Sequence, residues 1–351
     1  GIAGQTVTLQ ADNITLAGES AGGASVCMHL LAPEHTQGLF HKAIVQSAAC
    51  TFGLRSVQEG AVFGAKVAQA AGCTDADPAA AAACLRRQPV QALIAAADQA
   101  AGDDLMAFAP VYGQRTLARP GLQGLPAGQF VRVPVLYGGT RDELRLWVGD
   151  AAQAGQPMTQ ANYPELLRAV YGEHAAAVQV RYPALAQGSA AATLGSVTSD
   201  FRPDNGINHC QFVDTAQLLA RHVPVYFMEF ADRQAPVLGV SMPAQPDPGF
   251  ELGAVHSAEL NYFFPHFSNT TRMDAPDLLP ASQALSQQLV ATWASFVRTG
   301  APQALGLPAW QRFNEKSQAL RFAPGQITPF DPGSAYQCDF WRSLYPAWFG
   351  A

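Results

Sequence analysis

Short apolar runs alternate along this chain with longer stretches of helical pattern, and this alternation restricts the fold more than any other feature. We predict four strands, at Asn13–Ala17, Ala43–Gln46, Val133–Gly138 and Val223–Phe230. Apolar residues at turn spacing predict the helices, which are Ala21–Leu31, Val57–Ala71, Ala79–Arg87, Val90–Asp98, Thr159–Gly172, Gly206–Ala220 and Gln283–Arg298. This order is typical of an α/β protein whose mostly parallel sheet is covered by helices on both faces.

Length and composition favour one globular domain and exclude two classes of protein. With 351 residues, 48% of them hydrophobic, the chain can bury a large core. No linker or charge block marks a boundary, so we predict a single domain over residues 1–351. A net charge of -6 and a charged fraction of 14% argue against nucleic-acid binding, which needs a clustered basic face. No apolar segment reaches the ~18 to 20 residues of a membrane span, so we expect a soluble protein without a membrane span.

The first predicted strand ends in the motif Gly-x-Ser-x-Gly, formed by Gly18, Ser20 and Gly22. At a strand-to-helix corner the serine takes a strained backbone conformation, and the glycines allow strand and helix to approach closely. Such a pattern arises by chance in roughly one chain in ten of this length, but here a strand precedes it and a small-residue helix follows. A nucleophilic serine needs a histidine base that is oriented by a carboxylate. The motif therefore predicts two further residues later in the chain.

Both partners are expected after later strands, in the order serine, acid, histidine. The third predicted strand runs into Asp142 and Glu143, and the residues alone do not choose between these two acids. Of the eight histidines, only His256 and His266 follow the fourth predicted strand. We prefer His256, because it lies in a glycine-containing loop that suits an open site.

Six segments, in order along the chain, resemble the type-B carboxylesterases, the cholinesterase-like branch of the α/β hydrolases. They are "GESAGGASV", "LFHKAIVQSA", "GGTRDEL", "GAVHSAEL", "WASFVRTGAP" and "PAW". The resemblance implies that Ser20 is the nucleophile, His256 the general base and Glu143 the acid that orients it. It further implies that the N–H of Ala21 donates to the oxyanion and that Ser47 has a supporting role.

The activity implied by this resemblance is hydrolysis of small carboxylic esters through an acyl-enzyme, without a metal or an organic cofactor. A metal site built from His256 and Glu259 is rejected, because two such ligands do not close a site. Aromatic residues near the catalytic segments could line a substrate pocket or belong to the core, namely Trp147, Tyr262, Phe263 and Phe264. The alternatives are a non-catalytic adhesion or scaffolding relative, against which the retained catalytic residues weigh, and a lipase with a lid.

The six cysteines permit fifteen pairings, so their number alone assigns no bridge. The resemblance implies two disulfides, Cys73–Cys84 and Cys210–Cys338. Cys27 and Cys50 are then expected to be buried thiols. Disulfides indicate an oxidising compartment, so we expect a secreted or periplasmic protein, with a cytoplasmic enzyme containing six reduced cysteines as the alternative.

The serine motif lies unusually close to the first residue of this sequence. Carboxylesterases carry a long segment before the serine, with the first strands of the sheet and a Gly-Gly oxyanion loop. The resemblance therefore implies an N-terminally truncated fragment, about the C-terminal two thirds of an esterase, with strand Asn13–Ala17 at an exposed edge. Since one oxyanion donor contributes ~2.7 to 4 kcal/mol to transition-state stabilisation, we expect this chain alone to be impaired in ester turnover.

Overall fold

The computed structural model describes residues 11–102, 104, 106–203, 205–236, 247–264, 277–314 and 318–350. The strands of these ranges are β1 Thr15–Glu19, β2 Lys42–Gln46, β3 Arg55–Ser56, β4 Val111–Tyr112, β5 Val135–Thr140, β6 Val225–Phe230, β7 Ala319–Ala323 and β8 Gln326–Phe330.

The α-helices are α1 Ala21–Leu30, α2 Pro33–Thr36, α3 Val57–Ala70, α4 Pro78–Leu85, α5 Val90–Ala101, α6 Gly121–Gly124, α7 Arg145–Gln153, α8 Tyr163–Tyr171, α9 Ala175–Arg181, α10 Ala190–Asp200, α11 His209–Ala220, α12 Leu260–Phe263, α13 Pro280–Thr299, α14 Pro332–Ala335 and α15 Cys338–Leu344. Two 3₁₀ helices cover Gly172–His174 and Pro346–Trp348. Each of the seven predicted helices falls on an observed one.

The main sheet has the strand order β1-β2-β5-β6-β7-β8, and every neighbouring pair is parallel except β7 and β8. The prediction of a mostly parallel sheet is thus confirmed. The four predicted strands are β1, β2, β5 and β6, each displaced by no more than two residues at either end. Because parallel strands end at the same edge of a sheet, the residues that follow β1 and β5 are brought together there. Among the described residues, β1 is the first strand of this order and lies at one edge of the sheet.

The chain divides into two compact units, of which the larger joins residues 1–52 to residues 121–351 and carries the main sheet. The smaller unit spans Gly53–Pro120 and contains α3, α4, α5 and the short parallel pair of β3 and β4. Its helix α3 begins with a capping box, in which Ser56 and Glu59 each accept a hydrogen bond from the other's backbone amide. The single domain over residues 1–351 stays a prediction.

A buried aromatic and aliphatic cluster in the larger unit supports the end of β6 and the loop beyond it. Phe230 packs against Tyr262, with ring centroids 4.7 Å apart, and Phe296 of α13 belongs to the same cluster. Ala254 and Val255, which lie just before His256, are fully buried in it. Burial of one large apolar side chain contributes about 1.5 to 3 kcal/mol, so this cluster fixes the loop that carries the histidine.

All six cysteines are described, and they form the disulfides Cys27–Cys50, Cys73–Cys84 and Cys210–Cys338. The expectation that Cys27 and Cys50 are buried thiols is wrong. Because β1 and β2 are parallel neighbours, α1 after β1 and the segment after β2 run side by side, and the two Cα atoms are 5.0 Å apart. Such closure of a loop stabilises a fold by ~3 kcal/mol in the chain-entropy account. None of the described helices is both long and apolar enough to cross a membrane.

Candidate active site

Ser20 lies at the corner between β1 and α1, with a φ of 56°, in the left-handed region that non-glycine residues rarely adopt. A Cβ on Gly18 would lie 2.3 Å from the carbonyl carbon of Gly22, and one on Gly23 would lie 2.6 Å from the carbonyl oxygen of Gln46. A Cβ on Gly22 would meet no atom within 4 Å. The close approach of strand and helix therefore requires glycine at positions 18 and 23, and not at position 22 as the motif had indicated.

The side chains of Ser20, His256 and Glu143 form one hydrogen-bonded row. The Nε2 of His256 lies 2.7 Å from the Oγ of Ser20, and its Nδ1 lies 2.7 Å from the Oε2 of Glu143. The other carboxylate oxygen, Oε1, accepts a hydrogen bond of 2.8 Å from the amide of Thr140. A Cβ on Gly139 would lie 2.4 Å from that oxygen, so only glycine leaves room for the carboxylate. Glu143 is fully buried and the His256 side chain is 5% exposed.

Asp142, the alternative acid, holds the backbone of the histidine loop. Its Oδ2 accepts hydrogen bonds from the amide of Ala254, at 3.0 Å, and from the Nε of Arg233, at 3.2 Å. Its own amide donates to the carbonyl of Ala254 at 2.8 Å. The structure thus places Glu143 against the imidazole ring and Asp142 against the chain two residues before it. His266, the alternative base, lies outside the described residues.

Two further carboxyl groups lie near His256, and sequence reasoning did not identify them as its neighbours. The Oε1 of Glu19 lies 3.4 Å from the Nε2 of His256 and accepts a hydrogen bond of 2.8 Å from the hydroxyl of Ser257. Glu259 is fully buried and accepts a hydrogen bond from the side-chain amide of Gln46. Glu19 occupies a variable position of the serine motif, and Glu259 was considered only as a metal ligand. These carboxyl groups, together with Glu143, act on the pKa of the His256 ring.

The ionisable groups of this row perturb one another strongly. Burial lowers the pKa of His256, but the facing carboxylates of Glu143, Glu19 and Glu259 outweigh it and raise that pKa to about 9. Burial raises the pKa of Glu143, yet the charge and hydrogen bond of His256 bring it below its ordinary value. Burial raises the pKa of Glu19, and that of Glu259 to about 8. The imidazole therefore holds a proton readily while Glu143 stays ionised, and the ring becomes a proton acceptor as the pH rises through its pKa.

The sequence model of the carboxylesterase family matches residues 10–341 of this chain. The chain belongs to the carboxylesterase family. This confirms the resemblance seen in the sequence and, with the parallel sheet, the prediction of an α/β-hydrolase fold.

Named carboxylesterase relatives match most of this chain. It is 28% identical to the pyrethroid hydrolase Ces2e of Rattus norvegicus, over 88% of this chain and 53% of that protein. It is 25% identical to the para-nitrobenzyl esterase of Bacillus subtilis (strain 168), over 90% of this chain and 59% of that protein. Identity to the cocaine esterase of Homo sapiens is 24%, over 95% of this chain and 58% of that protein. The chain thus spans between half and three fifths of the length of these curated relatives.

The remaining predicted site residues, Ala21 and Ser47, lie near the row. Ala21 is the first residue of α1, where backbone amides have no acceptor within the helix, and it is exposed beside Ser20. Ser47 follows β2, is fully buried with a φ of 53°, and its amide donates to the carbonyl of Gly138. These contacts give the position of Ser47 and not its role in a reaction, so its supporting role stays a prediction.

The four aromatic residues near the catalytic segments occupy different environments. The ring of Trp147 lies 5.0 Å from the ring of His256. Tyr262 is fully buried and donates a hydrogen bond to the carboxylate of Asp232, so it belongs to the core. Phe263 packs at the edge of the core cluster, and Phe264 is 61% exposed. Among the described residues no group of three or more histidine, cysteine, aspartate or glutamate side chains is arranged to hold a metal ion.

Proposed function

We propose that this protein hydrolyses carboxylic esters through an acyl-enzyme intermediate, with Ser20 as nucleophile, His256 as general base and Glu143 as the acid that orients the ring. One observation carries the proposal, namely the unbroken row of two 2.7 Å hydrogen bonds from the Ser20 hydroxyl through the imidazole to a buried carboxylate. Three residues that are distant in the chain meet in this order, which is the order the chemistry needs. Membership of the carboxylesterase family supports the same reaction.

The first half of the reaction forms the acyl-enzyme. The Oγ of Ser20 attacks the ester carbonyl while the Nε2 of His256 takes the hydroxyl proton. The tetrahedral oxyanion lies at the N-terminus of α1, where the N–H of Ala21 donates to it. Collapse of this intermediate breaks the bond to the alcohol, and the imidazolium returns its proton to the departing oxygen.

The second half of the reaction releases the acid. Water attacks the acyl group on Ser20, His256 accepts a proton from that water, and the carboxylic acid leaves as the serine hydroxyl is restored. In both halves Glu143 stays ionised, because the positive ring beside it offsets the effect of burial on its pKa. The buried carboxylate thus stabilises the imidazolium at the moment when the ring holds the proton.

The reaction as proposed requires no cofactor, and its partner is a small-molecule ester. The names of the pyrethroid hydrolase and the para-nitrobenzyl esterase give different substrates, so we assign the class of substrate and no individual ester. The three disulfides favour an oxidising compartment, and we therefore propose that the protein is secreted or periplasmic.

The test compares hydrolysis of p-nitrophenyl acetate by the unsubstituted chain, Ser20→Ala and Ser25→Ala. Ser25 is the matched control, because it is exposed on the same helix and its hydroxyl donates only to the backbone oxygen of Ala21. We expect Ser20→Ala to lower kcat by a factor on the order of 10^4 or more and Ser25→Ala to change it less than twofold. Because turnover by this chain alone is expected to be impaired, labelling by a fluorophosphonate is measured beside the rates. Equal rates for the unsubstituted chain and Ser20→Ala, together with no labelling of Ser20, would contradict the proposal and favour a non-catalytic binding protein.

A further inference from the structure

A polar cavity of about 280 Å³ lies among side chains of the larger unit. Four arginines contribute to its lining, which are Arg141, Arg145, Arg181 and Arg233. Two acids, Asp142 and Asp200, complete the charged part of the lining. Ser20, Glu143 and His256 do not line it, so this cavity is separate from the catalytic row.

The arginines at one side of this cavity are already neutralised. The Nε of Arg145 lies 3.4 Å from the Oδ1 of Asp142, and the Nε of Arg233 lies 3.2 Å from its Oδ2. Arg145 also donates to the hydroxyl of Ser196, and Arg233 lies 3.4 Å from the carboxylate of Glu251. Because each of these guanidinium groups has a carboxylate partner, they form the fixed wall of the cavity.

The other two arginines have no such partner. Among the described residues, no carboxylate lies within ion-pair distance of Arg141, whose side chain is exposed. The Nε of Arg181 donates to the side-chain carbonyl of Gln337, and its guanidinium lies 5.7 Å from the ring centroid of Phe340. A neutral amide and an aromatic face position this group without neutralising it. Two uncompensated positive charges therefore face one cavity.

Among the described residues, the remaining acid of the lining, Asp200, lies within ion-pair distance of neither Arg141 nor Arg181. Asp200 accepts a hydrogen bond of 2.7 Å from the hydroxyl of Tyr182. Burial raises the pKa of Asp200 well above its ordinary value, more strongly than the nearby charge of Arg141 lowers it. Burial thus disfavours the charged form of Asp200.

We propose that this cavity binds a small oxyanion, a carboxylate or a phosphate, through the guanidinium groups of Arg141 and Arg181. The planar guanidinium matches two oxygens of either anion, and such charge-assisted hydrogen bonds are among the stronger ones in proteins. The wall of Arg145 and Arg233 is held by Asp142, so an anion gains attraction from the site without having to break those ion pairs. This inference stands apart from ester hydrolysis, because no catalytic side chain takes part in it.

The test measures anion binding to the 351-residue chain by titration calorimetry, with the substitution Ser20→Ala present throughout so that ester chemistry plays no part. Succinate and inorganic phosphate are titrated separately at constant ionic strength set with chloride. We expect saturable binding of one anion per chain for at least one of them. The anion that gives saturable binding shows whether the site takes a carboxylate or a phosphate. Arg141→Gln and Arg181→Gln should each raise the Kd about tenfold or more.

Arg168→Gln is the matched control, because Arg168 is exposed in the same unit on α8 and does not line the cavity. We expect it to change the Kd less than twofold. Absence of saturation with both anions overturns the proposal. It is also overturned if Arg168→Gln weakens binding as much as Arg141→Gln, because binding would then follow net charge. Thermal unfolding midpoints of the three variants serve as the check that each remains folded.

Discussion

The serine corner and the histidine loop reach the same point by different physical means. Ser20 is positioned by backbone sterics within a few residues, since Gly18 and Gly23 permit the close approach that its positive φ requires. His256 is positioned by side chains from elsewhere, with Asp142 on its backbone and Glu143 on its ring. The position of Ser20 therefore depends on the shape of the backbone. The position of His256 depends on charged side chains and therefore on pH.

The largest effect is expected from removal of the base. His256→Ala should lower kcat by a factor on the order of 10^4 to 10^6, because the Ser20 hydroxyl then has no proton acceptor. Steady-state hydrolysis of p-nitrophenyl acetate measures it, with His174→Ala as the control, a half-buried histidine of the same unit that packs against Tyr345. Retention of more than a tenth of the activity would remove His256 from the mechanism.

The next largest effect separates the two neighbouring acids. Glu143→Gln should reduce kcat by a factor on the order of 10^3 to 10^4, because the ring loses the charge that stabilises its protonated form. Asp142→Asn should act mainly on stability, since it weakens the ion pairs with Arg145 and Arg233 and the hold on Ala254. Paired kinetics and chemical denaturation measure both variants. If Asp142→Asn were the more damaging to kcat, the assignment of the acids would be wrong.

Three glycine substitutions test whether backbone sterics position Ser20. Gly18→Ala and Gly23→Ala should each destabilise the fold by about 1 to 3 kcal/mol, because a Cβ there overlaps backbone atoms. Gly22→Ala, at an open helical position, should leave the free energy of unfolding unchanged or raise it by up to ~1 kcal/mol. Urea denaturation measures all three. Equal losses at positions 22 and 23 would contradict the described packing of α1 on β2.

The smallest effect is a displacement of the pH profile. The base must be unprotonated to act, so kcat/KM should rise with pH through the pKa of His256, which is about 9. Glu19→Gln removes a negative charge 3.4 Å from the ring, and the midpoint of the rise should move to lower pH. Glu165→Gln, an exposed change on α8, should leave the midpoint in place. A midpoint that moves upward in Glu19→Gln would contradict the electrostatic account.

The sequence predicted what depends on local pattern. The corner at Ser20, the four main strands and the long helix α13 follow from periodicity and glycine placement, and the structure has them close to the predicted bounds. Strands β7 and β8 were missed, and β8 contains Pro329, which weakens a strand pattern.

Local pattern does not supply contacts between distant residues. The family resemblance implied the row of Ser20, His256 and Glu143 and the disulfide Cys210–Cys338, and other contacts were missed. Asp142 and Glu143 are adjacent, and only their backbone positions decide which of them meets the ring. The contact of Glu19 with His256 depends on the turn at Ser20, which aims neighbouring side chains in different directions. The Cys27–Cys50 disulfide depends on the parallel register of β1 and β2, which no spacing in the sequence reveals.

The most direct test of the central claim is covalent labelling by a fluorophosphonate, with the modified residue located by peptide mass spectrometry. If Ser20, His256 and Glu143 act as one unit, the reagent should modify Ser20 alone. The labelling rate should become undetectable in His256→Ala, fall strongly in Glu143→Gln and change little in Asp142→Asn. Modification of a different residue, or labelling of Ser20 at an unchanged rate in His256→Ala, would contradict the account.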